Sequence, residues 1–110
     1  MSGVSRTATV YLSERATNQK SELATRWSAD HPDGTHRAYE LFDGITSFLA
    51  KDPFSFESTE NVKEYPGYFI TKSYTGIEPY TVTILFSEMP ENGRRLEAVR
   101  IRDKDDNHVI

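Results

Sequence analysis

The spacing of apolar residues along this chain changes period twice. From about Arg6 to Leu12, Ala8, Val10 and Leu12 alternate with Thr7, Thr9 and Tyr11, the two-residue rhythm of a half-buried strand. Ser13 follows as a helix N-cap, with Glu14 suited to the positive helix end. A first helix is expected over about Glu14 to Ala29, with a sparse stripe of Ala16, Leu23, Ala24 and Trp27 and with Trp27 as its main anchor in the core. The run Asp30-His31-Pro32-Asp33-Gly34 is dense in helix breakers and ends it. The second helix, about Thr35 to Lys51, carries Ala38, Leu41, Phe42, Ile45, Phe48 and Leu49 at spacings of three and four. Lys51-Asp52-Pro53 closes it, a base at the negative end and then a proline. Two such helices joined by a tight turn predict an antiparallel hairpin.

After a polar stretch, Phe54 to Pro66, the period returns to two. Gly67 to Tyr74 is rich in aromatic and β-branched residues, and Gly76 to Pro79 supplies a turn. In Tyr80 to Phe86, the residues Tyr80, Val82, Ile84 and Phe86 share one side. Met89 to Gly93 contains an Asn-Gly turn signal in a connection longer than two residues. The last strand, about Arg94 to Arg102, sets Val99 and Ile101 on one face and Arg100 and Arg102 on the other. The predicted order is β-α-α-β-β-β, an α+β fold with the helical hairpin on one face of a mainly antiparallel sheet. No repeat or low-complexity linker divides the chain, so residues 1–110 read as one domain.

Composition narrows the setting. A chain of 110 residues buries roughly two-thirds of its unfolded surface, enough for a core without staples. There are no cysteines, which excludes disulfides and thiolate metal sites. No stretch approaches the roughly 20 apolar residues of a membrane span, and MSGVSRTATV lacks the apolar heart of a signal peptide. The expectation is a cytoplasmic protein with no membrane partner. A net charge of -4 opposes general affinity for nucleic acid. Against that background Arg94, Arg95, Arg100 and Arg102 form a local basic stripe with one acid, Glu97, among them.

In its order of elements and several phrases the chain resembles the RelE/ParE toxin superfamily of bacterial type II toxin–antitoxin systems. The phrases are a short strand running into an alanine early in the first helix (Val10 to Ala16), Trp27 late in that helix, Leu49-Ala50-Lys51-Asp52-Pro53 closing the second, Tyr80-Thr81-Val82-Thr83, and Val99-Arg100-Ile101-Arg102. The resemblance implies a toxin that pairs with a cognate antitoxin as a hetero-oligomer and needs no cofactor. The ribonuclease branch of that superfamily cleaves messenger RNA, generally within the ribosome. Cleavage requires a base for the attacking 2′-hydroxyl, cations on the charged transition state and an acid for the leaving oxygen. On that reading Lys72, Arg100 and Arg102 hold phosphate, Arg94 and Arg95 extend the contact surface, and Tyr74 or His108 moves the proton. Histidine is the side chain best matched to proton transfer near neutrality. Members of that branch commonly place an arginine where this chain has Thr81. The ParE branch is associated instead with DNA gyrase and acts by protein contact, and the threonine fits that branch better.

Other chemistries leave weaker marks. His31 and His36 flank the interhelical turn with Asp30 and Asp33, but the spacing matches no metal-ligand motif and reads as turn and cap chemistry. There is no glycine-rich phosphate loop and no nucleophile elbow. Three functions remain open: a toxin acting by contact, a messenger endonuclease, and a non-toxic small α+β binding module.

Overall fold

A computed structural model describes residues 7–51, 59–71, 74–77 and 79–110. The elements in chain order are β1 (Thr9–Leu12), α1 (Glu14–Asp30), α2 (Gly34–Ala50), β2 (Thr59–Asn61), β3 (Tyr68–Thr71), β4 (Tyr74–Ile77), β5 (Tyr80–Met89) and β6 (Gly93–Arg102). The sheet runs β1-β6-β5-β3-β2, with β4 also on β5. β1 lies parallel to β6 and every other pairing is antiparallel. The fold is therefore α+β, two helices packed against a mixed, mainly antiparallel sheet.

The predicted helices are present to within a residue or so at each end. Ser13 caps α1 as expected: its hydroxyl oxygen accepts from the Ala16 N–H at 3.0 Å and its O–H donates to the Glu97 carbonyl at 2.6 Å. One side chain thus starts the helix and ties it to β6. Leu23, Ala24, Leu41, Phe42, Ile45 and Leu49 face Val82, Ile84, Phe86, Leu96, Val99 and Ile101 in a single core. At ~25 cal/mol per Å² of apolar surface, this burial is the main source of stability. Trp27 is not the anchor the pattern suggests. It is half-buried at the rim, its ring stacked on Tyr80 at 5.7 Å, while fully buried Leu23 anchors α1.

The strand region departs from the expected three. Where one strand was expected over Gly67 to Tyr74, β3 and β4 lie along the same side of β5. From Ile70 to Tyr74 the chain advances four residues while its partner goes from Leu85 to Val82 in three, so the register of β4 on β5 is offset by one residue from that of β3. At the end of β3, the buried Thr71 hydroxyl accepts from the Ile84 N–H at 3.0 Å. Gly76 belongs to β4 rather than to a turn, and Ile77 lies opposite Tyr80. β2 falls in the polar stretch because Thr-Glu-Asn carries no apolar residue to signal a strand; it is a three-residue edge. The Asp52-Pro53 stop, Arg6 and residues 54–58 lie outside the described residues.

The C-terminal segment is tied down. The Asp103 carboxylate accepts from the N–H groups of Asp105 and Asn107, both at 2.9 Å. The chain then returns beside β6, where the Val109 N–H donates to the Ile101 carbonyl and Arg26 of α1 donates to the Val109 carbonyl, both at 2.8 Å. The Asn107 N–H, above all, holds the Asp103 carboxyl below its ordinary value; partial desolvation opposes this, and the Asp105 N–H, the Asn107 side chain and Lys104 reinforce it. A depressed folded pKa means stabilisation that is present above the unfolded value and lost as pH falls through the folded one. Amide exchange at Asp105 and Asn107 is therefore expected to be slow at neutral pH and to lose protection only in acid below the usual carboxylate range. In Asp103→Ala that protection is absent at every pH.

Candidate functional site

The face of the sheet away from the helices is the natural site, and β6 decides its character. In strict alternation residues 94, 96, 98, 100 and 102 would share one face. They do not, because the pairing with β5 slips between Leu85↔Ala98 and Phe86↔Leu96, leaving Glu97 as the extra residue of a bulge. Below the bulge, Arg94 and Leu96 point with Phe86 to the helices. Above it, Ala98, Arg100 and Arg102 sit opposite Leu85, Thr83 and Thr81 on the open face. The predicted stripe of four arginines is divided, and this corrects the reading of Arg94 as a contact residue.

Arg94 is a structural cation. Only 10% of its side chain is exposed, and its guanidinium donates to Glu88 Oε1 at 2.8 Å, to the Leu49 carbonyl at 2.7 Å and to the Lys51 carbonyl. These carbonyls close α2, so a base from β6, not Lys51, answers the negative helix end. Arg95 lies on the open face beside Glu97, at 3.5 Å, and the Tyr68 hydroxyl is also directed at Glu97. Arg102 pairs with Asp106 at 3.0 Å. Arg100 is exposed and, among the described residues, has no ion pair.

The candidate proton carriers are not brought together. Tyr74 lies in β4 opposite Val82, Val82 lies opposite Ile101, and Ile101 is bonded to Val109, the neighbour of His108. Three strand spacings of ~4.8 Å separate the two backbones by roughly 14 Å. His108 is exposed and bridges Arg102 through the backbone in the ordered terminal segment, not in a loose tail. Lys72 lies outside the described residues. No family model matches this chain, and no curated protein or solved structure matches it. Its site is read from its own geometry.

Two features were not visible in the sequence. Arg15, in the first turn of α1, comes to the edge of the open face beside Arg100, Ile70, Thr83, Leu85 and Ala98 around a cavity of about 180 Å³. Its signal was limited to a base just after the Ser13 cap, and only the placement of α1 over β6 gives it meaning. The second is a cleft of about 310 Å³ at the end of the helical hairpin, walled by Trp27, Tyr80, Asp30, His31 and Arg37, with the Arg37 guanidinium 5.7 Å from the Trp27 ring. The protein's own arginine thus takes up that aromatic face. The turn histidines hold no metal cluster among the described residues, and His36 faces Glu40 at 3.1 Å.

The edges of the sheet differ in availability. Along the outer side of β6, β1 pairs as far as Leu96, the Ser13 N–H donates to the Leu96 carbonyl, the Gln19 amide both donates to and accepts from Val99 at 2.9 Å, and Val109 takes Ile101. That edge is closed. β1 and β2 terminate the sheet, and beside β1 a groove of about 340 Å³ runs along Val10, Leu12, Phe42 and Ala50.

Proposed function

We propose that this chain is the toxin of a bacterial toxin–antitoxin pair with a RelE/ParE-type fold, acting on its target by protein contact as the ParE branch does. DNA gyrase is the proposed target and a cognate antitoxin the partner that neutralises it. One observation carries the choice of contact over cleavage: three of the four arginines of β6 engage carboxylates of their own chain, and Arg94 also engages α2 carbonyls. A phosphate clamp needs cations left unengaged and aimed at one point, with a base and an acid beside them. For the antitoxin, the side of β1 that no strand pairs among the described residues suits an added strand, and the groove beside it mixes Val10, Leu12 and Phe42 with Lys20, Asp43, Thr46 and Ser47.

Induced expression is expected to arrest growth, and co-expression of an antitoxin encoded beside it to restore growth. Purified protein is expected to inhibit gyrase supercoiling. Growth arrest with unaffected supercoiling would remove gyrase as the target, and harmless expression at high level without an antitoxin would favour a non-toxic binding module.

A further inference from the structure

We propose that the open sheet face carries a docking site for an acidic, aliphatic segment of another protein, seated between Arg15 and Arg100. Across three strands the register places Ala98 opposite Leu85 and Leu85 opposite Ile70, one aliphatic row on the face that carries no helix, with Ala98 buried and Leu85 and Ile70 half-buried. Thr83 and Arg100 form the next row, and Arg15 reaches the same depression from α1. The cavity of about 180 Å³ suits one or two aliphatic side chains.

Charge argues for what sits there. The chain has 17 acids and 13 Lys and Arg residues, and on β6 it has given carboxylate partners to Arg94, Arg95 and Arg102. Among the described residues, Arg15 and Arg100 have none, and both are exposed at the margin of an apolar floor. Two guanidinium groups left open in an acid-rich chain are complementary to carboxylates brought by a partner. The floor selects protein over nucleic acid. Single-stranded bases stack on aromatic side chains, whereas this row is isoleucine, leucine and alanine. In an extended segment residues i, i+2 and i+4 line one face, so a central leucine enters the depression and glutamates two residues to either side of it reach the two arginines. The site does not depend on the toxin reading, because docking is measured without growth or gyrase.

The test uses the isotope-labelled full chain with a synthetic peptide carrying glutamates two residues to either side of a central leucine and serines between, the same peptide with lysines for the glutamates, and a single-stranded RNA. The acidic peptide is expected to shift the amide signals of Ile70, Thr83, Leu85, Ala98 and Arg100, with affinity falling as salt rises. Arg15→Glu with Arg100→Glu is expected to weaken it by at least about tenfold, with the remaining amide spectrum unchanged. Arg100→Gln alone gives a smaller loss in the same direction, and Arg95→Gln gives none. The proposal is overturned if the acidic peptide shifts other amides or none, if the lysine peptide binds as well, if the charge reversals leave affinity intact, or if RNA takes the same face more tightly.

Discussion

Gly34→Ala is expected to lower the melting temperature of the chain by at least about 10 °C. Elsewhere in a helix this exchange stabilises by about 1 kcal/mol, because alanine is the better helix former. Here the glycine is the first residue of α2 and is packed against the end of α1. A Cβ at Gly34 would lie 2.1 Å from both the carbonyl carbon and oxygen of Trp27, and 2.3 Å from the Ser28 nitrogen. All three are main-chain atoms, so no rotamer relieves the clash. The hairpin would have to open, breaking the Gly34 N–H to His31 carbonyl bond at 3.1 Å and loosening the Trp27–Tyr80 stack. Overpacking of this kind costs about 3 kcal/mol or more, which lowers the melting temperature by at least about 10 °C in a domain of this size. Thr35→Ala, one residue further on an exposed position, is expected to change stability by less than about 0.5 kcal/mol. Thermal melts of the two variants side by side check the sign, and a stabilised Gly34→Ala would show that the helices do not approach this closely.

Arg94→Met carries the second large effect. Methionine keeps much of the buried stem but removes every donor, so the Leu49 and Lys51 carbonyls and the Glu88 carboxylate all lose their partner. Breaking a fully buried ion pair costs about 3–5 kcal/mol. Glu88 is 42% exposed and regains water, which argues for the lower part of that range. The expected loss is about 3 kcal/mol by denaturant titration, most of it from the unsatisfied end of α2. Arg94→Lys keeps the charge without the fork and is expected to recover less than half. Were Arg94 a contact for nucleic acid or a partner, Arg94→Met would leave the unfolding midpoint where it was.

These two sites also show where sequence reading succeeds and where it stops. The helical hairpin was legible because Ala38, Leu41, Phe42, Ile45 and Leu49 repeat at helical spacing and all of them are buried. The helix-facing side of β5 was legible for the same reason, with Val82, Ile84 and Phe86 at a period of two and all fully buried. Ser13 announced its cap. The bulge at Glu97 was not legible, because Arg-Leu-Glu-Ala-Val-Arg has no glycine or proline to mark an inserted residue, yet it separates Arg94 from Arg100. The one-residue offset in register between β3 and β4 had no signal either, since Thr71 looks like any strand threonine until its hydroxyl is seen bonded to the Ile84 N–H. Trp27 was over-read, because its size suggests the core while its position leaves it at the rim. For the site, the sequence supplied the arginines but not their partners. Ion pairs such as Arg94–Glu88 and Arg102–Asp106 depend on strand register and on the folded terminal segment.

Mapping of transcript ends after induction tests most directly whether this sheet face works by contact. Growth arrest with intact messages is the predicted result, and the messages stay intact when Arg100 and Arg102 are both alanine. Discrete new cleavages that vanish in that double variant would contradict it and return the open face to phosphate chemistry.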